Sequence, residues 1–342
     1  MLTYIVSAKY KNHTDNHPNC FPTLSDALAH IPADTDEQVT IMLKPGLYHE
    51  KVTINRPYVT IQGEDAKTTT ITWDDYANAL MPDGSKMGTF RSYTMFLDSH
   101  DITLSNITVQ NASGPRAKAG QAIALYADGD RIIVEHCRLE SHQDTLFTGP
   151  LPPTVIQPGG FVGPKEFSPR INGRQFYKNC FICGDIDFIF GSATAYFEDC
   201  ELYSLYDQTV ASLSTEPPLV CGYVTAASTP EGQDYGYVFS HCLFTGNCPK
   251  KSVFLGRPWR NYAKTVILNC ELERHIHPQG FHDWNKPAAR DTCFYGEYQN
   301  TGDGADPNAK LRAPFIHHLS SEEAYHYTKK AELAGDDNWY PD

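Results

Sequence analysis

The sequence predicts an all-β fold, a single-stranded parallel β-helix closed by short capping helices. Three observations predict it: a cysteine-centred motif recurs along the chain, its parity demands a bend at one fixed position, and its shortest interval matches one solenoid coil.

The motif copies are RIIVEHCRL (131–139), QFYKNCFI (175–182), AYFEDCEL (195–202), YVFSHCLF (237–244) and TVILNCEL (265–272), with ITLSNITV (102–109) carrying Ile107 in the cysteine place. Each has an apolar or aromatic residue three before the cysteine, a polar residue just before it and an apolar one two after. Side chains alternate along a strand, so Cys137 and Leu139 share a face while Val134 has the opposite parity. A bend at His136 turns both stretches toward one interior. Its equivalents Asn106, Asn179, Asp199, His241 and Asn269 suit that bend, because Asn, Asp and His tolerate the left-handed region.

Cys180 and Cys200 are 20 residues apart, one coil; the longer intervals hold either two coils or an excursion. Residues 149–174 are rich in Pro and Gly and read as an insertion, either a wall or lid for a groove or an inert excursion. Solenoid ends need caps. TLSDALAHI (23–31) is the N-terminal helix candidate, and Ser320 with Glu323 forms a capping box ahead of a single helix that Gly335 stops. The expected organisation is one domain over 1–342, with the insertion at about 149–174 and a capping tail at about 303–342.

The chain has 342 residues, 41% hydrophobic, enough for a large core. A net charge of −13 argues against nucleic acid, anionic membranes and densely charged polyanions, and favours a neutral or partly neutralised substrate. No apolar run approaches a membrane span, and MLTYIVSAKYK lacks the features of a signal peptide, so the expected compartment is the cytoplasm, or the periplasm or exterior if a signal is missing from the sequence. The ten cysteines, following the repeat, are read mainly as small core residues.

Asp144 and Asp187 each lie seven residues after a motif cysteine. With the insertion set aside they fall on neighbouring coils, roughly 4.8 Å apart. Asp207 shares the offset after Cys200, so spacing alone does not assign a role. Two carboxyls so close do not both ionise easily, which yields an acid and a nucleophile. That pair suits ester hydrolysis through a covalent intermediate and equally a retaining glycosidase. Gln121 and Gln143 offer amide donors for an oxyanion, Arg257 can hold one aspartate ionised, and Trp259 can stack on a sugar.

GLYHE (46–50), QAIAL (121–125), QDTL (143–146), DFIFG (187–191), LGRPW (255–259) and YGEYQNTGDG (295–304) occur in the order seen in the pectin methylesterase (pectinesterase) family, which this chain resembles over most of its length. The resemblance implies a right-handed parallel β-helix that hydrolyses C6 methyl esters of galacturonosyl units and releases methanol, with no metal or other cofactor. It implies Asp187 as nucleophile, Asp144 as acid and then base, Gln121 and Gln143 as oxyanion donors, Arg257 as the residue orienting Asp187, and Trp259, Phe190, Phe147 and Trp284 along the sugar groove. The expected partner is methyl-esterified homogalacturonan or its oligogalacturonides, bound by a monomer, with no nucleic-acid or membrane partner.

Two departures bear on the groove: Phe147 stands where many members carry tyrosine, and Phe281 where plant members commonly carry tryptophan. The rival readings are another β-helix pectin-active enzyme, a galacturonide hydrolase or lyase, and a non-catalytic carbohydrate-binding solenoid.

Other signals carry less. The Cys180/Cys183 pair lies in a strand region with no second pair at metal spacing. His275, His277, His317 and His318 read as surface or helix-adjacent residues. Asn12, Asn106 and Asn111 sit in N-x-S/T patterns that matter only if the chain is secreted. No GxSxG elbow is present.

Overall fold

The computed structural model describes residues 2–9, 18–33, 35, 37–207, 219–308 and 310–342. Among the described residues the chain winds through successive coils whose strands stack in register into three parallel sheets of 12, 8 and 7 strands, which makes it a parallel β-helix. The six motif copies supply six successive neighbours of the 12-stranded sheet: Ile102–Ser105, Ile132–Glu135, Arg174–Lys178, Thr194–Glu198, Tyr237–Ser240 and Lys264–Leu268.

Each strand ends at the expected corner, with positive φ at Asn106 (55°), His136 (52°), Asn179 (51°), Asp199 (54°), His241 (55°) and Asn269 (53°). Val134, Cys137 and Leu139 are all buried in one core, so the bend reconciles their opposite parities. Three residues before the cysteines, the rings of Tyr177, Phe197 and Phe239 stack at 4.6 and 4.5 Å along the solenoid axis. The cysteines form a ladder beside them: each thiol donates to the carbonyl of that position one coil back, Cys180 to Val134 (3.3 Å), Cys200 to Tyr177 (3.5 Å), Cys242 to Phe197 (3.4 Å) and Cys270 to Phe239 (3.5 Å). All ten cysteines are free. Cys183 is a buried strand residue like its neighbours.

A further rung, invisible to an alignment on cysteine, is Asn300, whose Nδ2 donates to Ile267 O at 3.2 Å after a corner at Gln299 (φ 49°). An amide takes the thiol's place there, and the position three before it is Glu297, held by Arg312 at 2.7 Å.

Both long cysteine intervals hold one coil plus an excursion, since Arg138 pairs with Phe181 and Glu201 with Leu243. The 149–174 insertion leaves the 7-stranded sheet after Leu146–Thr148 and returns at Arg174–Lys178, with no strand or helix between.

The N-terminal cap is the helix Leu24–His30, its Thr23 side chain accepting from the Asp26 amide. The C-terminal expectation needs correction. Ser320 and Glu323 do form a capping box, but the helix it opens, Ser321–Tyr325, stops after five residues, and a second, Lys329–Leu333, starts from its own cap at Thr328 before Gly335 (φ 51°). Thr328 offers its hydroxyl to the Ala331 amide at 3.4 Å, a local bond that competes with continuing the first helix.

His275 and His277 are likewise corrected: both are buried, 1% and 6% exposed, and burial first lowers each imidazole to about 4. His277 stacks on Phe254 at 4.1 Å. His317 and His318 are exposed, as expected. Asn12 lies outside the described residues. Asn111 is buried, donating to the carbonyls of Asp75 (2.9 Å) and Ser92 (2.8 Å), and Asn106 is a coil corner.

Candidate active site

The site is built on the 7-stranded sheet. Leu146 pairs with Ile189 across neighbouring strands, so Asp144 and Asp187, each two residues earlier, occupy equivalent places on adjacent coils. Both carry positive φ, 65° and 48°. Asp187 also sits on a bulge, because the pairing with the next coil slips between Ile186, opposite Tyr223, and Ile189, opposite Thr225. A bulge re-aims the side chain it carries. Gly191, which closes the same strand, adopts φ +132°, and a Cβ there would lie 2.0 Å from Thr148 O, so DFIFG ends in glycine for steric reasons.

Arg257 grips Asp187 with two parallel bonds, Nε to Oδ1 at 2.9 Å and Nη2 to Oδ2 at 2.7 Å. Its guanidinium is clamped between two rings, 3.9 Å from Tyr223 and 3.7 Å from Trp284. A planar cation held on both faces presents its fork in one orientation.

Burial raises both aspartates above the usual carboxylate range, but unequally. For Asp187 the Arg257 charge and hydrogen bonds oppose the burial. Asp144 is pushed well up by burial and then by the Asp187 charge, with Asp185 adding in the same direction. Asp144 therefore holds the proton and Asp187 the charge, the division of labour an acid and a nucleophile need.

Gln121 and Gln143 meet in a parallel bridge at the edge of this sheet. Both face a cavity of about 510 Å³ with Asp144, Asp187, Phe190, Arg257, Trp259 and Trp284. Every site residue expected from the sequence but one thus lines a single cavity. The exception is Phe147. It belongs to an outward-facing row of paired residues, Phe96, Tyr126, Phe147, Phe190 and Ala226. Phe90 covers it at 5.0 Å, leaving it fully buried, so it packs beneath the groove and does not line it. Phe281 is also core, stacked on Tyr295 at 4.1 Å.

Asp207 lies elsewhere, with His142 and Asp185, their ligand-type atoms within 4.8 Å of one another. Arg116 stands 3.6 Å from the buried Asp185 and supplies it with a counter-charge. The sequence did not point to Phe90, Arg260 or Lys286 among the remaining walls, whereas Val155, Ile156 and Phe161 come from the insertion, which takes the wall alternative. Lys286 lies two residues from Trp284 and Arg260 next to Trp259, so proximity to the motif aromatics was the available signal. Burial, then the charges of Arg260 and Arg257, lower the Lys286 ammonium to about 8.

The family model for Pectinesterase matches residues 13–150 and 170–336. The chain belongs to the pectinesterase family. The unmatched stretch, 151–169, falls within the insertion, so the cavity wall it builds lies outside the pectinesterase pattern. Probable pectinesterase/pectinesterase inhibitor 23 of Arabidopsis thaliana is 30% identical, aligned over 94% of this chain and 51% of its own length. Putative pectinesterase 11 of the same plant is 31% identical over 93% of this chain and 77% of its own. The chain thus spans about half the length of several of the pectinesterase relatives it matches. Among solved structures, pectin methylesterase PemA from Erwinia chrysanthemi superposes with a TM-score of 0.78 at 28% identity, covering 100% of this chain and 99% of that one. A pectin methylesterase in complex with a hexasaccharide matches with the same TM-score and coverage at 29% identity.

Proposed function

We propose that the protein is a pectin methylesterase, hydrolysing C6 methyl esters of galacturonosyl units in pectin or its oligosaccharides. The observation that carries this reading is the two-bond grip of Arg257 on Asp187 with Asp144 beside it in one cavity, where burial and the Asp187 charge push Asp144 well up. In the first half-reaction an Asp187 oxygen attacks the ester carbonyl carbon, and the tetrahedral oxyanion is met by the amides of Gln121 and Gln143. Collapse breaks the bond to the methoxy oxygen, which takes the Asp144 proton and leaves as methanol. In the second, Asp144, now a carboxylate, removes a proton from water as that water attacks the acyl carbon. The Asp187 carboxylate is released, Asp144 is again protonated, and the sugar leaves as a carboxylic acid that loses its proton to solvent. Amide donors at the site suit an acyl oxyanion better than the oxocarbenium ion of glycoside cleavage.

The test is product analysis on methylated oligogalacturonides between pH 5 and 9. Methanol is expected, and Asp187→Asn should lower turnover by about 10⁴-fold or more with the fold intact. New reducing ends or unsaturated products without methanol would instead assign a hydrolase or lyase, and binding without any product a silent solenoid.

A further inference from the structure

Three side chains that do not line the cavity meet one another, and each stands close in the chain to a residue that does. Arg116 lies five residues before Gln121, His142 directly before Gln143 and two before Asp144, and Asp185 two before Asp187. Arg116 Nε is 3.6 Å and His142 Nδ1 3.9 Å from Asp185 Oδ2, while Asp185 Oδ1 accepts from the next amide, Ile186 N, at 2.7 Å.

The backbone around them leaves no slack. Asp185 N donates to His142 O at 3.0 Å, Asp144 N to Ile186 O at 3.1 Å and Tyr223 N to Asp185 O at 3.1 Å. A Cβ at Gly184 would lie 2.4 Å from His142 O, and one at Gly222 would lie 2.2 Å from Asp185 O. A displacement of Asp185 is therefore passed to the coils that carry Asp144 and Asp187.

The fold gains little from this charge. The Asp185 side chain is 1% exposed, and among the described residues its Oδ2, His142 Nδ1 and Arg116 Nε have no hydrogen-bond partner. The contact with Arg116 is charge against charge, beyond hydrogen-bonding distance. A buried pair without supporting bonds is often no more stable than an apolar replacement. A buried charge that the fold does not require, set beside reacting groups, points to function.

We propose that Asp185, steadied by Arg116, is a positioning residue for the reaction: it holds the strand ends bearing Asp144 and Asp187 at one level and supplies the field in which Asp144 gives up its proton. This rests on the esterase reading above. Burial comes first for both carboxyls. Asp144 is then raised by Asp187 and Asp185 against Arg257. For Asp185 the burial is opposed by Arg116 and His142 and reinforced by Asp207, and the Cys248 thiol also lies within its reach. Asp144 is raised the more of the two, so Asp185 is already charged when Asp144 loses its proton. Removing that charge makes the loss easier and brings it to lower pH.

The test is Asp185→Asn, which removes the charge and keeps the shape, with folding checked by circular dichroism. Methanol release from a fully methyl-esterified oligogalacturonide should show the alkaline limb about half a pH unit below the wild type, the order of one like charge acting through several ångströms of protein. At the optimum kcat should fall about tenfold with KM nearly unchanged, because Asp185 acts on the reacting pair and touches no substrate. Arg116→Gln/Asp185→Asn strands no cation and should show the same shift, which separates the field of Asp185 from that of an unpaired Arg116. A second readout needs no turnover. The stability difference between the protein and its Asp144→Asn derivative falls as pH rises and levels off at the folded Asp144 pKa. With Asp185→Asn in both, that levelling should come about half a unit lower, read from denaturant unfolding between pH 4 and 9. An unchanged limb together with an unchanged levelling, whatever the loss in kcat or melting temperature, would make Asp185 a structural residue and overturn the proposal, with the esterase standing on wild-type methanol release. A lowered levelling with no methanol from the wild type would keep the hold of Asp185 on Asp144 and overturn the esterase.

Discussion

Asp144 is costly to the fold and useful to the chemistry. Burial and the Asp187 charge raise its pKa in the folded protein above the unfolded value of about 3.9. The folded state therefore binds the proton more tightly, and the stability this confers is lost as pH rises from about 4 through the raised value. Asp144→Asn should raise the melting temperature at pH 7 by about 2 °C while lowering kcat by about 10²- to 10⁴-fold, measured by calorimetry and methanol release. The wild-type pH profile should be bell-shaped, its acid limb set by protonation of Asp187 and its alkaline limb by loss of the Asp144 proton. The two limbs belong to the coupled pair. The pairing was legible because motif offset and strand register are both local, while the separate roles came from the resemblance of QDTL and DFIFG to the family motifs. What was not legible is the clamp of Tyr223 and Trp284 on Arg257, which comes from coils brought together only by winding.

Elements show where local rules suffice and where they compete. The corners at Asn106, His136 and Asn269 follow from intrinsic tolerance of positive φ, so one sequence position predicts one backbone conformation. The C-terminal tail holds two helix caps, Ser320, which the sequence shows as a capping box, and Thr328, and the chain uses both. The second helix, Lys329–Leu333, also buries Glu332, 3% exposed with neither carboxylate oxygen hydrogen-bonded among the described residues, and burial pushes its pKa well up. The folded pKa again exceeds the unfolded one, so Glu332 destabilises increasingly as pH rises above about 4.3. Glu332→Leu should stabilise the protein by about 1 to 3 kcal/mol at pH 7 and by less at pH 4, read from denaturant unfolding at both values.

At the scale of the molecule, the β-helix provides a flat sheet and the excursions turn it into a cavity. Replacing residues 153–170 by a short Gly-Ser linker removes Val155, Ile156 and Phe161 from the wall without touching a coil. The family model already spans the chain without 151–169, so the variant should fold. KM for methylated oligogalacturonides should rise about tenfold while kcat changes far less, because uniform binding is lost and the reacting pair is kept. A kcat loss as large as that of Asp144→Asn would show that the insertion shapes the reacting pair itself.

The sequence by itself determined the coil repeat, its corners, the buried cysteine row and the matched aspartates, because strand parity, left-handed tolerance and register act over a few residues or one coil. Only the tertiary structure decided what covers what: Phe90 sealing Phe147 away from the groove, His275 and His277 drawn into the interior, and Arg260 and Lys286 meeting at one carbonyl. Those outcomes depend on the paths of long excursions, which no periodicity encodes, and on side chains far apart in the chain being desolvated together.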